Sequence, residues 1–281
     1  MKKKAIAILG MVCIFCIGCG ANKGNANTET SVEKKDSTEI TTETNTAEEK
    51  QKPLLENNSE KVMIQCISKS AYKYNSYMIT SSGGENLVID PTAVAAKEEY
   101  DMNVAAIVST HNHPDHVDKK FTDSYPDAQK LIHEEGSIST KDFKVTLIPS
   151  SHNGDNIMNP ADNYIALIEV DGLRIVHMGD CGQTSLTEEQ LAQLGEVDIC
   201  FMQYTNQQSG IKASDGTAVK VMEQLLPKRI IPTHYTNDDL SYLAEQYGKI
   251  EELNNVMYAD NDELSEESQK MYRILNNVTY Q

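Results

Sequence analysis

The sequence predicts an α/β (α+β) fold: two mixed β-sheets packed face to face with helices outside, a four-layer αββα sandwich. Three observations carry this expectation. Short apolar runs bounded by turn residues recur throughout residues 61–281. In the second half these runs alternate with amphipathic stretches of helical period. A stretch of about 220 residues also suits one compact domain with a sizeable core.

Taken in order, KVMIQCIS and YNSYMIT read as strands, and SSGGEN is a turn leading into NLVID. TAVAAKEEY reads as a helix after Asp90-Pro91. VAAIVST is almost continuously apolar, as in a strand buried on both faces. QKLIH, FKVTLIPS, NYIALIEV and RIVHMGD follow as strands, with DGL turning the last two. LTEEQLAQL is a short helix with Thr187 as its N-cap. VDICFMQ is a strand, DGTAVKVMEQLL a helix started by Ser214 or Asp215, and RIIPTHY a strand. Residues 238–254 read as helical, and the last twenty-five residues favour neither element.

The N-terminal sixty residues differ in kind. Met1-Lys-Lys-Lys, an apolar run from Ala5 to Ile17 and then Gly18-Cys19 have the form of a secretory signal. The run is shorter than the roughly 20 apolar residues that span a bilayer. Ile17-Gly18-Cys19 resembles the bacterial lipobox, which implies residues 1–19 as a lipoprotein signal peptide, a lipid anchor on Cys19 and an extracytoplasmic, membrane-attached location. An ordinary cleaved signal is the alternative. Residues 20–60, rich in Thr, Glu, Asn and Lys, cannot bury enough apolar surface to offset chain entropy and read as a disordered tether. The whole chain has 42 acidic and 25 basic residues and a net charge of −17, which argues against a nucleic-acid partner. Cys66, Cys181 and Cys200 lie far apart, as buried free thiols or as one disulfide and one thiol.

Four polar segments each follow an apolar strand: THNHPDH, SSHNG, MGDCG and PTHY. Imidazole and carboxylate together suit a divalent transition metal, zinc first, with iron or manganese also compatible. His111 and His113, two apart in an extended segment, can point the same way. A turn at Pro114 then lets Asp115 and His116 face a second ion. No single ion needs so many ligands close together; two ions do.

HNHPDH fits the H-x-H-x-D-H signature of the metallo-β-lactamase superfamily, and His152, Gly179-Asp180 and His234 follow in the family's order. With Asn75 and Asp90-Pro91, the resemblance spans nearly all of residues 61–281. HMGD and PTHY make it most similar to the branch with ascorbate-6-phosphate lactonase-like enzymes. The resemblance implies the metallo-β-lactamase fold and two divalent ions. His111, His113 and His152 would hold one ion, Asp115, His116 and His234 the other, and Asp180 would bridge. It also implies attack by a hydroxide that the ion pair generates, oriented by Asp115, on a carbonyl or phosphoryl centre. Asp90 and His177 would support the ligands without touching a metal.

Alternatives stay open at several positions. Cys181 could replace Asp180 as a ligand, as cysteine does in true zinc β-lactamases, although His116 argues otherwise. Tyr235 either meets substrate or packs, and His133 reads as structural. The polar loops 153–163 and 204–214, with Lys212, suit specificity toward a polar or anionic small molecule, or are simply solvated. The function expected is an exported, membrane-tethered dinuclear hydrolase of an ester-like bond in a small molecule: a lactone, a carboxylic or phosphoric ester, or an amide. A non-catalytic metal- or solute-binding lipoprotein and a β-lactam hydrolase are the alternatives.

Overall fold

The N-terminal third of the domain pairs its apolar runs into one sheet. β1 (Val62–Cys66), β2 (Tyr77–Thr80) and β3 (Asn86–Ile89) form an antiparallel meander, and β4 (Val104–Ser109) and β5 (Gln129–Ile132) extend it in parallel. A short helix, α1 (Lys119–Ser124), crosses from β4 to β5. This is a computed structural model that describes residues 54–69, 76–264, 269–275 and 280, all within one compact unit. The signal segment, Cys19, the tether up to residue 53 and Asn75 lie outside the described residues.

The second sheet begins with β6 (Gly136–Ser139), β7 (Phe143–Ser150), β8 (Asn163–Val170) and β9 (Leu173–His177), all antiparallel. β7 and β8 pair over eight residues, from Phe143↔Val170 to Ser150↔Asn163. Then α2 (Glu188–Leu194), β10 (Ile199–Gln203), α3 (Thr217–Leu225) and β11 (Arg229–Thr233) alternate, adding parallel strands. After α4 (Asp239–Tyr247) come β12 (Glu251–Asn254), β13 (Val256–Ala259) and β14 (Lys270–Leu275). The strand orders are β13-β1-β2-β3-β4-β5 and β12-β14-β11-β10-β9-β8-β7-β6.

Strand alternation assigns the layers. On β10, Ile199 and Phe201 enter the core between the sheets with Ile64, Val108 and Leu147, while Cys200 and Met202 face Val221, Met222 and Leu243 of α3 and α4. On the first sheet, Met78, Val88 and Ile107 turn outward onto Phe121 and Tyr125. Apolar surface on both faces of each sheet thus requires two helical layers, which makes the predicted four-layer sandwich.

Several local expectations are corrected. Residues 92–100 form no helix: Ala93 takes φ 50°, a left-handed conformation that a right-handed helix excludes. α4 stops at Gly248 (φ 77°), and residues 251–254 become β12. Neither Ser214 nor Asp215 caps α3; Gly216 holds that position in the left-handed region, after a 3-10 turn at Ala213–Asp215. The ambiguous tail supplies β14, and α1 and β6 arise where no element was expected. Residues just before 61 also pack on this body. Leu54 is buried against Ile67 and Met78, and the Gln65 side chain bonds the Leu55 N–H and C=O at 2.8 and 3.0 Å.

Thr187 does cap α2. Its Oγ1 accepts from Gln190 N at 3.1 Å, and Gln190 Oε1 accepts from Thr187 N at 2.9 Å, a reciprocal capping box. Thr187→Ala is therefore expected to lower stability by about 1 kcal/mol in urea unfolding, with metal uptake unchanged. An unaltered midpoint would contradict the cap's contribution.

Candidate metal centre

Strand direction gathers the polar segments. β7, β9 and β11 run the same way, so their C-terminal ends share one rim of the eight-stranded sheet. His152 lies two residues past β7, Asp180 three past β9 and His234 one past β11. From the other sheet, β4 delivers Thr110 and then His111, His113, Asp115 and His116, folded by a turn in which His116 N donates to His113 O at 2.9 Å. Two groups of donor atoms result: His111, His113, His152 and Asp180; and Asp115, His116 and His234.

Asp180 stands between the groups. Its Oδ2 lies 3.4 Å from His152 Nε2 and 3.6 Å from His111 Nε2, while its Oδ1 lies 3.3 Å from His116 Nε2 and 3.6 Å from His234 Nε2. His234 Nε2 is 3.6 Å from Asp115 Oδ2, and His111 Nε2 is 3.1 Å from His113 Nδ1. These spacings match the roughly 3.4 Å edge of a tetrahedron whose corners sit about 2.1 Å from a central ion. Hydrogen bonding accounts for only part of them: His116 Nε2, His152 Nε2 and Asp180 Oδ1 are buried without a hydrogen-bond partner. Native proteins rarely leave such atoms orphaned, so the donor set fits a pair of divalent cations.

The supporting residues fix that donor set. Asp90 accepts from His116 Nδ1 at 2.8 Å and from Thr110 N at 2.7 Å, so His116 turns its Nε2 toward Asp180. His177 is buried and stacked on Phe201; its Nδ1 accepts from Gly179 N at 3.0 Å and lies 3.6 Å from Asp90 Oδ2. Cys181 belongs to the helix-side core, where burial pushes its thiol up to about 12, and it falls in neither donor group. Cys66, Cys181 and Cys200 are all free and buried. Tyr235 Oη accepts from Arg273 Nε at 2.7 Å and its ring packs on the helix-side core. His133 packs edge-on against Tyr164.

Some residues at the site carried no signal in sequence. Asn163 Oδ1 accepts from Asp180 N at 3.0 Å, Asp162 Oδ1 from His152 N at 2.9 Å, and Asn206 Nδ2 donates to Asp180 Oδ2 at 2.7 Å. Each is a common polar residue without distinctive spacing. Asn206 lies in a loop expected to meet substrate but faces inward, whereas Lys212 is exposed. Gly182 was legible only as part of GDCG. A Cβ there would stand 2.3 Å from His152 O and 2.6 Å from Ser209 O, so three ligand-bearing or supporting loops close on it.

Electrostatics of the metal-free chain follow from this packing. Burial opposes the charged form of His116, but Asp90 and Asp180 outweigh it and lift this imidazole to about 10. His111 is pushed down to about 3 by burial and by His116, and His177 to about 4 by burial. Burial would raise Asp180, yet His116, His152 and His234 hold it far below the usual carboxylate range. The carboxylates around His116 thus favour positive charge at this point of the site.

Residues 70–234 match the family model of the beta-lactamase superfamily domain. The chain is 26% identical over 181 residues to a metal-dependent hydrolase of Thermococcus onnurineus, covering 54% of this chain and 78% of that protein. It superposes on a Thermotoga maritima protein assigned to the zinc-dependent hydrolases of the metallo-β-lactamase superfamily with a TM-score of 0.54 and 15% identity, over 76% of this chain and 99% of that one. A Parabacteroides distasonis protein assigned as a metal-dependent hydrolase gives a TM-score of 0.53 and 18% identity, over 78% and 94%. At such identities these two likenesses speak to the fold.

Two outcomes are expected at the bench. Without metal, stability should peak near pH 6.5. Below that, the unfolded chain takes up protons that buried His111 and His177 resist. Above it, stability contributed by the tightly held proton on His116 is lost as pH rises to about 10. Thermal unfolding with chelator measures this, and a midpoint constant between pH 6.5 and 10 would contradict it. Gly182→Ala should lower both the melting temperature and metal uptake, and normal uptake would show that the three loops tolerate separation. The matched segment spans the whole ligand-bearing rim, and the sandwich around it is the expected one: the chain belongs to the metallo-β-lactamase superfamily of metal-dependent hydrolases.

Proposed function

We propose that this chain is an exported hydrolase, tethered to the membrane through a lipid on Cys19, that uses two divalent ions to cleave an ester-like bond of a small molecule. Zinc is the first choice of ion, with iron or manganese also suited to nitrogen and oxygen ligands. The observation that carries this function is the Asp180 carboxylate, with one oxygen turned to each donor group. His111, His113 and His152 would hold one ion, and Asp115, His116 and His234 the other.

When bound, such a pair polarises a carbonyl or phosphoryl oxygen and makes hydroxide available at neutral pH. The chain's own part is positional. Asp90 holds the His116 ring, and Asp180 is kept ionised between the groups. Asp115 is the least buried of the three carboxylates at the site and is kept ionised, first by its bond to His234. It would also orient the attacking hydroxide. The motif resemblance favours a lactone, then a carboxylic or phosphoric ester. The signal and tether proposed for residues 1–60 would put the domain outside the cytoplasm, away from phosphorylated cytosolic sugar acids. Acidity of the chain disfavours a polyanionic nucleic acid.

The purified full chain should hold two ions and turn over chromogenic lactones or phosphodiesters. His113→Ala should lose metal and turnover together, while His177→Ala should mainly lower stability. Normal turnover by His113→Ala would refute the ligand assignment. A single tightly held ion with no turnover of any substrate would instead favour a binding lipoprotein, and hydrolysis of nitrocefin would redirect the substrate to β-lactams.

A further inference from the structure

The Asp180 carboxylate is fixed by something other than its backbone. Its N–H donates to Asn163 Oδ1 at 3.0 Å and its carbonyl accepts from Ser209 Oγ at 3.1 Å, but neither bond restrains rotation of the carboxylate plane. Among the described residues, the non-histidine hydrogen bond to that carboxylate comes from Asn206, whose Nδ2 donates to Oδ2 at 2.7 Å. Asn206 is itself held. Its Oδ1 accepts from Gln208 N at 2.9 Å, which leaves Nδ2 aimed at Asp180. Its backbone exchanges two bonds with Ile211, at 2.9 and 3.0 Å. Asn153, next to His152, ties the same loop through Nδ2 to Gln208 O at 3.3 Å.

We infer that Asn206 is a positioning residue that holds the Asp180 carboxylate in its bridging orientation and so makes uptake of the second ion possible. This rests on the two-ion site proposed above. A first ion can take a carboxylate whichever way it turns. A second can use the other oxygen only if that oxygen is already presented. Each carboxylate oxygen offers about two lone-pair directions. Asn206 occupies one on Oδ2 and leaves the other toward His111 and His152, while Oδ1 remains without a hydrogen-bond partner opposite His116. Without the amide the carboxylate can swing so that both oxygens serve one ion. A residue of loop 204–214 thus reaches the metal ligand, and a change at Asn206 would alter metal loading.

Calorimetric titration of the metal-free full chain with zinc alone tests this, alongside Asn206→Leu and Asn206→Ala. Circular dichroism and thermal unfolding of the metal-free variants report folding, and if the bulkier variant fails to fold, the alanine variant decides. The wild type should take up two ions in two steps. Both variants should keep the first step and weaken the second by about 10–100-fold, the usual cost of losing a residue that orients a ligand. Cobalt-loaded samples should show magnetic coupling between the two ions in the wild type and lose it in the variants, which a loosened loop alone would not cause. Variants that match the wild type in both steps and in coupling would overturn the role of Asn206 and leave the two-ion site standing. An equal fall in both steps would make Asn206 merely structural and overturn it as well. Uptake of only one ion by the wild type would overturn the two-ion site itself, and this inference with it.

Discussion

Seven nitrogen and oxygen donors converge on one rim, and three of their buried atoms have no hydrogen bond to make. Burying most of them there removes their water, a cost that a bound cation would offset. Much of the surrounding structure follows from that constraint. Parallel β7, β9 and β11 end at a common edge, β4 meets them from the opposite sheet, and the core between the sheets holds the two halves in register. Asp90, buried behind His116, shares its charge between that ring and the Thr110 backbone. Asp90 and Asp180 beside His116 favour positive charge at that ring.

Close backbone approach makes the convergence possible. Gly179 takes φ 57°, and a Cβ there would come within 2.6 Å of Asn163 Oδ1 and 2.7 Å of Thr110. Asp180 therefore follows a turn that glycine alone fits without strain. Beyond it, Gly182 N bonds Ser151 O at 2.9 Å, locking the Asp180 loop onto the His152 loop. Loops joined in this way present their ligands as a unit. Preorganised ligands hold ions more tightly than flexible ones, and they also place them identically from one turnover to the next.

The layers and the ligand segments were legible because each rests on a strong local signal. VAAIVS is apolar enough to demand burial on both faces, and HNHPDH is too dense in imidazole to be a solvated loop. What was missed depends on contacts remote in sequence. TAVAAKEEY has helical composition, but Val94 and Ala95 pack inward against the outer face of the first sheet. β12 and β14 are exposed or half-buried over much of their length and carry little apolar alternation. Asn163 and Asn206 act only because folding places Asp180 beside them, and nothing in their own neighbourhoods marks them. Tyr235, for which the sequence left substrate contact and packing both open, has a hydroxyl that accepts from Arg273, thirty-eight residues away.

The central claim is that one carboxylate is shared by two cations. A crystal structure of the zinc-loaded chain, with anomalous scattering recorded at the zinc absorption edge, measures this directly. The account predicts two peaks, one beside each oxygen of Asp180, the first among His111, His113 and His152 and the second among Asp115, His116 and His234. A single peak, or two peaks that leave either oxygen of Asp180 unused, would contradict it.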